Sequence, residues 1–382
     1  MLNLLMTERY LESYIKQDLK EKMVFLCGPR QAGKTTLAFH LLKGNEAHPA
    51  YFNWDYRDDQ KKLMQQEFPS GQALLVFDEI HKFRNWRNWL KGIYDKTKSK
   101  RQYLITGSAR LDFYKRGGDA LTGRYHSHRL HPLSLREIDA HYKASSAQAL
   151  LLYGGFPEPF YKQSERTLRR WQNERLQQVL RDDLRDLERL HEVTLIAQMA
   201  EQLPNLVGSP LSINSLREDL QVAHPTVANW VKILERLYFI FIIAPFGSPR
   251  IRAVKKEPKC YLWDWMMVKE PGPRFENLVA SQLLKYCHFL EDTQGYKMEL
   301  RYLRDTDKRE TDFVVIKEGQ PIFAVECKLT DTSVDSSLAY FSQRTKIPQF
   351  YQVHLGTKDY EHASLPIRVL PFHIFCKELG LP

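Results

Sequence analysis

The sequence predicts an α/β protein with more than one domain, and three observations carry this prediction. A glycine-rich loop at 28–35 lies between a short apolar run and a helical pattern. A second apolar run, 73–77, ends in two carboxylates, Asp78 and Glu79. Further along, two short apolar strands meet at a turn around Gly319. With 382 residues, of which 43% are hydrophobic, the chain has material for two or three cores.

The loop at 28–35 fits the P-loop pattern, in which a glycine and four further residues precede Gly-Lys-Thr. Residues 23–27 predict a buried strand before it, and residues 36–43 predict a helix after it. In that setting backbone N–H groups face phosphates, Lys34 reaches the β- and γ-phosphates of ATP, and Thr35 coordinates Mg²⁺. A glycine turn with a chance Lys-Thr pair is the alternative. The predicted nucleotide-binding residues of this segment are Gly28, Pro29, Arg30, Gln31, Ala32, Gly33, Lys34, Thr35 and Thr36.

The run 73–77 predicts a strand that delivers Asp78 and Glu79 to its C-terminal end. We expect Asp78 to hold Mg²⁺, directly or through water, and Glu79 to orient or deprotonate the attacking water. A strand followed by an ordinary charged turn is the alternative. The run 102–106 leads into Ser108, which is either a γ-phosphate sensor or a strand-end cap. Because strands alternate with helices, a parallel sheet with ligands at its C-terminal edge is expected.

At this point the sequence resembles a group of prokaryotic AAA-type ATPases, in which a domain of unknown function follows the ATPase module. The resemblance implies that Arg124 is an arginine finger, which acts on the nucleotide of this subunit or of a neighbour in a homo-oligomer. A surface arginine after a turn is the alternative. The motifs that carry the resemblance are GPRQAGKT (28–35), VFDE (76–79), TGS (106–108), LTGR (121–124), LHPLS (130–134), GGFPE (154–158) and PKCYLWD (258–264).

The middle of the chain predicts helices and a winged-helix layout. Residues 164–185 form a polar, arginine-rich pattern that is typical of a solvated helix or an interdomain connector. Helices at 213–220 and 226–237, followed by a strand at 238–243, match the winged-helix order. The exposed face of the second helix would contact DNA phosphates, or the subdomain is purely structural. That face is predicted to carry Thr226, Asn229, Lys232 and Arg236.

Near the C-terminus, a hairpin centred on Gly319 places Asp312 opposite Glu326, with Lys328 on the same strand face as Glu326. Two facing carboxylates repel each other, and a divalent cation between them would remove that penalty. Oxygen ligands suit Mg²⁺ or Mn²⁺. Lys328 would then polarise a water or stabilise an anionic phosphorane. A structural ion pair between Lys328 and either carboxylate is the alternative.

A helix glutamate, a hairpin aspartate and a Glu-x-Lys motif together resemble the PD-(D/E)XK nuclease superfamily. The resemblance implies a restriction-endonuclease-like α/β fold with Asp312, Glu326 and Lys328 as the catalytic core. It also implies that Glu276, on the helix, is an auxiliary metal ligand. Gln352, on a later strand, is a further candidate site residue. A folded domain without activity is the alternative.

The net charge of +10 and the pI of about 9.2 favour an acidic partner, with DNA preferred over RNA. An anionic membrane surface or a merely basic protein are the alternatives. The five cysteines are scattered, which disfavours a zinc site or a disulfide framework. The most apolar run, 238–246, is too short to span a bilayer, and no signal-peptide layout is evident. We therefore expect a cytoplasmic protein without membrane association.

These predictions divide the chain into an AAA-type ATPase domain (1–140), a helical and winged-helix-like segment (141–250) and a nuclease-like domain (251–382). The leading hypothesis is an ATP-regulated, metal-dependent DNA nuclease that uses ATP, Mg²⁺ and, at the C-terminal site, Mg²⁺ or Mn²⁺. The second is an ATP-driven switch or remodeller whose C-terminal domain only binds a protein or nucleic acid. The third is a nucleotide-dependent oligomerisation module.

Overall fold

The computed structural model describes residues 8–107, 121–179, 190–247 and 257–382. It divides the chain into two compact units, Met1–Pro132 and Leu133–Pro382. The further division of the second unit at residue 250 stays a prediction.

The first unit is built on a five-stranded sheet in the order β2-β3-β4-β1-β5. All of its pairings are parallel, which confirms the predicted sheet type. The strands are β1 (Met23–Cys27), β2 (Tyr51–Asn53), β3 (Leu74–Asp78), β4 (Gln102–Thr106) and β5 (Tyr125–Arg129). The helices are α1 (Glu12–Asp18), α2 (Lys34–Leu42), α3 (Arg57–Gln65) and α4 (Trp86–Thr97).

Strand β4 lies between β1 and β3, and this order creates the site. Thr106, the last residue of β4, pairs with Leu26 of β1 on one side and with Asp78 of β3 on the other. The P-loop begins directly after β1. The C-terminal ends of three neighbouring strands therefore converge at one edge of the sheet, where ligands of open α/β sheets bind.

An aromatic core below that edge holds the strands together. Phe77 is fully buried and packs against Phe52, Tyr103 and Trp89, with ring centroids 5.7–5.9 Å apart. Rings at these separations add attraction beyond the area that they bury. Because Phe77 immediately precedes Asp78, this packing also fixes the backbone that presents the carboxylate.

The second unit begins with helices. The predicted polar helix starts as expected, with the Ser164 hydroxyl accepting a bond from the Thr167 N–H, and the prediction beyond residue 179 lies outside the described residues. Leu168, Trp171 and Arg175 are buried on one of its faces. The helices are α5 (Leu135–Ile138), α6 (Ala144–Tyr153), α7 (Pro157–Lys162), α8 (Glu165–Gln177), α9 (Leu190–Gln202), α10 (Ile213–Leu220) and α11 (His224–Arg236).

The helix α11 has the predicted orientation. It buries Trp230 and Leu234, while Asn229, Lys232 and Arg236 are exposed; the fourth predicted residue of this face, Thr226, is half-buried.

Strands from the middle and the end of the chain form one eight-stranded sheet in the order β12-β13-β11-β10-β9-β8-β6-β7. β6 pairs antiparallel with β7 and parallel with β8, so it joins the two regions. The strands are β6 (Ile240–Pro245), β7 (Lys259–Leu262), β8 (Met298–Arg304), β9 (Glu310–Lys317), β10 (Gln320–Lys328), β11 (Phe350–His354), β12 (Tyr360–Glu361) and β13 (Ile367–Pro371). The helices are α12 (Pro271–Gln294), α13 (Ser336–Arg344) and α14 (Phe372–Glu378).

The β9–β10 hairpin turns at Glu318 and Gly319, whose φ values of 51° and 76° are both left-handed. Two left-handed residues in a row match the twist of a tight hairpin. Val325 pairs with Phe313, so the next residues along, Asp312 and Glu326, face each other as predicted.

Candidate functional site

The loop between β1 and α2 depends on its two glycines. Gly28 has φ +141°, and a Cβ there would lie 2.3 Å from the Leu130 carbonyl oxygen. Gly33 has φ +96°, a backbone conformation that residues other than glycine rarely adopt. The sequence order strand, loop, helix is thus realised with the backbone of a P-loop. The other predicted loop residues, Pro29, Arg30, Gln31 and Ala32, lie between these glycines, and Thr36 lies in the first turn of α2.

Lys34 lies folded over the loop. Its Nζ donates to the carbonyl oxygens of Gly28 (3.0 Å) and Pro29 (2.7 Å). Burial lowers the pKa of Lys34, while the charges of Glu79 and Asp78 oppose that shift. The ammonium is therefore held against the loop backbone, where the charges of Asp78 and Glu79 act on it.

Asp78 is surrounded by hydroxyl groups. Its Oδ2 accepts from Thr35 Oγ1 (3.1 Å) and from the Tyr51 hydroxyl (2.8 Å), and its Oδ1 accepts from Thr106 Oγ1 (2.5 Å). Burial and the charge of Asp78 raise the pKa of Tyr51, so the phenol remains a donor. Sequence reasoning missed Tyr51, because nothing in a three-residue strand marks its side chain as a partner of Asp78.

Glu79 stands beside this group in a strained conformation. Its φ of 56° is left-handed, a region that non-glycine residues enter rarely. Its Oε2 is buried without a hydrogen-bond partner among the described residues, 3.7 Å from Lys82 Nζ and 3.5 Å from His81 Nε2. Burial raises the pKa of Glu79, and the neighbouring Asp78 raises it further. A carboxylate with a raised pKa is a better proton acceptor.

The donor set at this edge fits Mg²⁺. The Thr35 hydroxyl and the Asp78 carboxylate lie 3.1 Å apart, and hydroxyl and carboxylate oxygens are the ligands this ion takes at P-loops. Ser108, the predicted sensor, lies outside the described residues.

Arg9 ties the P-loop to a distant part of the first unit. One nitrogen of its guanidinium donates to the Ala32 carbonyl oxygen and the other to the His131 carbonyl oxygen, each at 2.6 Å. Arg9 is 7% exposed, so both bonds are shielded from water.

Arg124 lies at the opposite edge of the sheet from the P-loop. Strand β5 pairs Tyr125 with Met23, the first residue of β1, so Arg124 is separated from the loop by at least the length of β1, about 13 Å. Its guanidinium forms a two-pronged ion pair with Asp95 at 2.8 and 3.0 Å. This arrangement does not bring Arg124 to the nucleotide site of its own chain.

In the second unit, Asp312 and Glu326 lie against each other. The Asp312 N–H donates to Glu326 Oε2 (3.4 Å), and Asp312 Oδ2 accepts from the Cys327 N–H (2.8 Å). Burial raises the pKa of Asp312 well above its usual range, and the charges of Glu276 and Glu326 add to that shift. Burial likewise raises the pKa of Glu326 to about 7, against the pull of Lys328.

Lys328 joins Glu326 to the loop before α13. Its Nζ lies 2.8 Å from Glu326 Oε1 and 2.9 Å from Asp335 Oδ2. Gln352 is fully buried, and its Oε1 accepts from the Asp335 N–H at 2.8 Å. Gln352 therefore positions Asp335, the residue that sequence reasoning missed as the second partner of Lys328.

Glu276 lies in a different group, around Lys259. Lys259 is fully buried, and its Nζ contacts Glu310 Oε1 and lies 3.4 Å from Glu276 Oε1 and 3.9 Å from Asp312 Oδ1. The Tyr261 hydroxyl donates to the same Glu276 oxygen at 2.7 Å. Lys259 and Tyr261 are two residues apart on β7, so their side chains lie on the same face of a buried strand. A lysine and a tyrosine in this pattern are the sequence signal that could have predicted the contact with Glu276.

Each of the predicted C-terminal metal ligands already has a lysine ammonium within 4 Å. Glu276 and Asp312 share Lys259, whereas Glu326 pairs with Lys328. Within the described ranges, no group of three or more His, Cys, Asp or Glu side chains is arranged to hold a metal ion. The residues present do not fit the metal that the nuclease resemblance implies.

Comparisons with known families cover most of the chain. Residues 20–139 match the model of an AAA domain. Residues 145–268 match a domain of unknown function (DUF8612), and residues 271–375 match another (DUF4143).

Among curated proteins, uncharacterized proteins of Mycobacterium tuberculosis and Mycobacterium bovis are each 27% identical over 327 residues, which cover 81% of this chain and 71% of theirs. An uncharacterized protein of Methanocaldococcus jannaschii is 23% identical over 376 residues, covering 84% of this chain and 78% of its own.

Among solved structures, the Aeropyrum pernix ORC1 protein in complex with DNA covers 73% of this chain and 95% of its own, with 14% identity and a TM-score of 0.35. The Bacillus subtilis DNA clamp loader delta protein covers 59% of this chain and 88% of its own, with 11% identity and a TM-score of 0.28. PCH-2 of C. elegans covers 60% of this chain and 65% of its own, with 15% identity and a TM-score of 0.22. At these TM-scores the likenesses carry no inference about function.

The AAA match and the geometry of 28–35 agree, and the N-terminal part of this α/β protein is an AAA-type P-loop ATPase domain. That part of the predicted resemblance is confirmed, whereas the nuclease-like resemblance stays a prediction. None of the helices in the described ranges combines the length and the apolar character that crossing a bilayer requires.

Proposed function

We propose that the N-terminal domain binds ATP with Mg²⁺ and hydrolyses it. The observation that carries this proposal is the cluster at the P-loop edge, where Asp78 accepts bonds from Thr35, Tyr51 and Thr106 beside the half-buried Glu79. Mg²⁺ held by Thr35 and Asp78 supplies positive charge to the phosphates.

The chain's own groups divide the remaining work. Lys34 exchanges its bonds to the loop carbonyls for bonds to the β- and γ-phosphates, and the loop N–H groups bind the phosphate oxygens. Glu79 orients the attacking water and accepts its proton, a role that its burial favours.

The test is ATP binding and turnover in matched variants. Lys34→Ala should lose most nucleotide affinity, and Glu79→Gln should keep affinity while turnover falls about 10²-fold or more. Exposed residues of the same charge, substituted as Lys62→Ala and Glu67→Gln, are the controls. Wild-type turnover in Glu79→Gln would remove this carboxylate from catalysis.

Arg124 is assigned to the nucleotide of a neighbouring copy in a homo-oligomer. Its place at the far sheet edge and its surface pair with Asp95 support a role in trans, which requires that pair to open. Mixing is the sharpest test. Lys34→Ala and Arg124→Ala should each be inactive alone, and together they should regain part of the wild-type turnover. Failure of any mixture to recover, with mixed oligomers demonstrated, would rule out the trans role.

The second unit is assigned to partner binding that ATP turnover controls, in a cytoplasmic ATP-driven switch or remodeller acting on nucleic acid, DNA before RNA. The net charge of +10 and the exposed Asn229, Lys232 and Arg236 on α11 support a nucleic-acid partner. The order α10, α11, β6, β7 supports a winged-helix arrangement of that surface.

A second candidate function is DNA cleavage at the C-terminal pocket. The observation that favours it is Asp312 facing Glu326, with Lys328 at 2.8 Å from Glu326. Supercoiled and linear DNA would be incubated with Mg²⁺ or Mn²⁺, with and without ATP, using wild type and Asp312→Ala purified side by side. Cutting that vanishes in Asp312→Ala would establish cleavage, and cutting by neither protein would leave the switch.

A further inference from the structure

Lys259 has the surroundings that a metal ion would have in this pocket. The fully buried ammonium lies within 4 Å of three carboxylates from two elements: Glu276 on α12, and Glu310 and Asp312 on β9. Its Nζ also lies 5.3 Å from the centre of the Tyr302 ring, which attracts cations.

The pocket is closed around this ammonium. Lys259 stands at the start of β7, where it pairs with Ile243 of β6 and bridges to Pro210. Backbone at Gly208 borders Glu276 so tightly that an added Cβ would come within 2.8 Å of Glu276 Oε2. The lysine side chain thus has no exposed surface and is fixed at both ends.

The three carboxylate side chains are largely withdrawn from water, with 12–24% of each exposed, so a positive partner stabilises them. Lys259 meets this need for Glu276, and it shares Glu310 with Arg304, whose Nη1 lies 3.2 Å from Glu310 Oε2. A divalent cation at the same carboxylates would stand within a few ångströms of the ammonium and be repelled by it.

We propose that Lys259 is the resident cation of this pocket: its ammonium fills the space between Glu276, Glu310 and Asp312 and keeps divalent metal out. The inference rests on the switch form of the proposed function and opposes the cleavage candidate, because it makes the second unit a binding unit whose acidic pocket is already occupied by a lysine. Lys328 then acts as the structural partner of Glu326 and Asp335.

The test is Mn²⁺ binding to the full chain without nucleotide, followed by electron paramagnetic resonance, in wild type, Asp312→Asn, Lys259→Met and Lys259→Met with Asp312→Asn. Wild type and Asp312→Asn should bind the same amount of Mn²⁺, because any shared site belongs to the P-loop. Lys259→Met should gain one site, more than tenfold tighter than any Asp312-dependent binding in wild type. The double variant should lose that site. Lys297→Met, on an exposed lysine of the same unit, is the matched control.

Two results would overturn the proposal. One is Mn²⁺ binding in wild type that Asp312→Asn removes, a comparison that holds even if Lys259→Met does not fold. The other is a folded Lys259→Met that gains no site, since Lys259 would then not be what excludes metal. ATP turnover is measured on the same samples. If the Mn²⁺ results overturned the metal-excluding role of Lys259, ATP turnover would still support the proposed ATPase function.

Discussion

The Tyr51 hydroxyl shows how one atom can bear on the nucleotide site. It donates to Asp78 at 2.8 Å from the neighbouring strand. Tyr51→Phe should lower the free energy of unfolding by about 1 kcal/mol, because one buried hydrogen bond is lost. It should also weaken Mg²⁺-dependent ATP turnover severalfold, because Asp78 loses a group that orients it. Urea denaturation and steady-state turnover are the measurements. Tyr56→Phe, on a tyrosine that is 59% exposed, should change neither.

The pair of Asp312 and Glu326 should give stability a dependence on pH. The pKa of Glu326 rises from its usual 4.5 to about 7 in the folded protein, so the folded state holds a proton that the unfolded chain releases. Stability from that proton is present at low pH and is lost as the pH rises from 4.5 towards 7. Between these pH values the free energy of unfolding should decrease by about 1–3 kcal/mol less in Glu326→Gln than in wild type.

Urea denaturation at half-unit steps from pH 5 to pH 8 measures this prediction. The exposed Glu361, substituted as Glu361→Gln, is the control and should keep the wild-type slope. An unchanged slope in Glu326→Gln would show that Glu326 is ionised throughout.

Which of these residues the sequence could predict depends on how local their contacts are. The loop at 28–35 and the facing of Asp312 and Glu326 follow from a pattern and from a two-residue turn, both set within a short segment. Lys259 and its carboxylates lie on separate elements, and their contact depends on where β7 packs. Lys259 belongs to the motif at 258–264, but a motif does not indicate how β7 pairs with other strands. The sequence therefore does not predict the carboxylate partners of Lys259.

At the scale of elements, the Asn277 side chain of α12 is hydrogen-bonded to the backbone of β7. The fully buried Asn277 accepts from the Leu262 N–H (2.9 Å) and donates to the Leu262 carbonyl oxygen (2.8 Å). Asn277→Ala should destabilise the protein by about 2–4 kcal/mol, because two buried backbone groups lose their partner. Thermal or urea unfolding measures the loss. Gln294→Ala at the exposed end of α12 is the control, and equal stability of the two variants would contradict this account.

The contact of Asn277 with β7 also affects the pocket around Lys259, because Glu276 is the residue directly before Asn277. An α12 that shifts takes Glu276 with it and removes one of the carboxylates from Lys259. The sequence does not predict β5, because its residues Tyr-His-Ser-His-Arg lack both alternation and an apolar run. Only its pairing with β1 identifies it as a strand.

At the scale of the whole molecule, the excess of positive charge should govern how the full chain meets nucleic acid. Affinity for duplex DNA should fall steeply between about 50 and 200 mM salt, since each neutralised phosphate releases counterions. Lys232→Glu combined with Arg236→Glu should lower the affinity at least tenfold and flatten the salt slope. Fluorescence anisotropy over a salt series measures both.

The control is a double reversal on two exposed lysines elsewhere in the second unit, Lys297→Glu with Lys308→Glu. A salt-independent affinity, or equal effects of the two double variants, would count against α11 as the phosphate-reading surface. ATP added to the same samples asks whether turnover changes the affinity, as a switch requires.

The guanidinium of Arg9 connects the phosphate loop to the end of the first unit. One end holds the Ala32 carbonyl in the phosphate loop, and the other holds the carbonyl of His131, one residue before the first unit ends. A nucleotide that changes the position of the loop should therefore also change the position of the backbone at His131. We expect ATP to slow amide hydrogen exchange at Leu130 and His131, and we expect Arg9→Ala to abolish that effect.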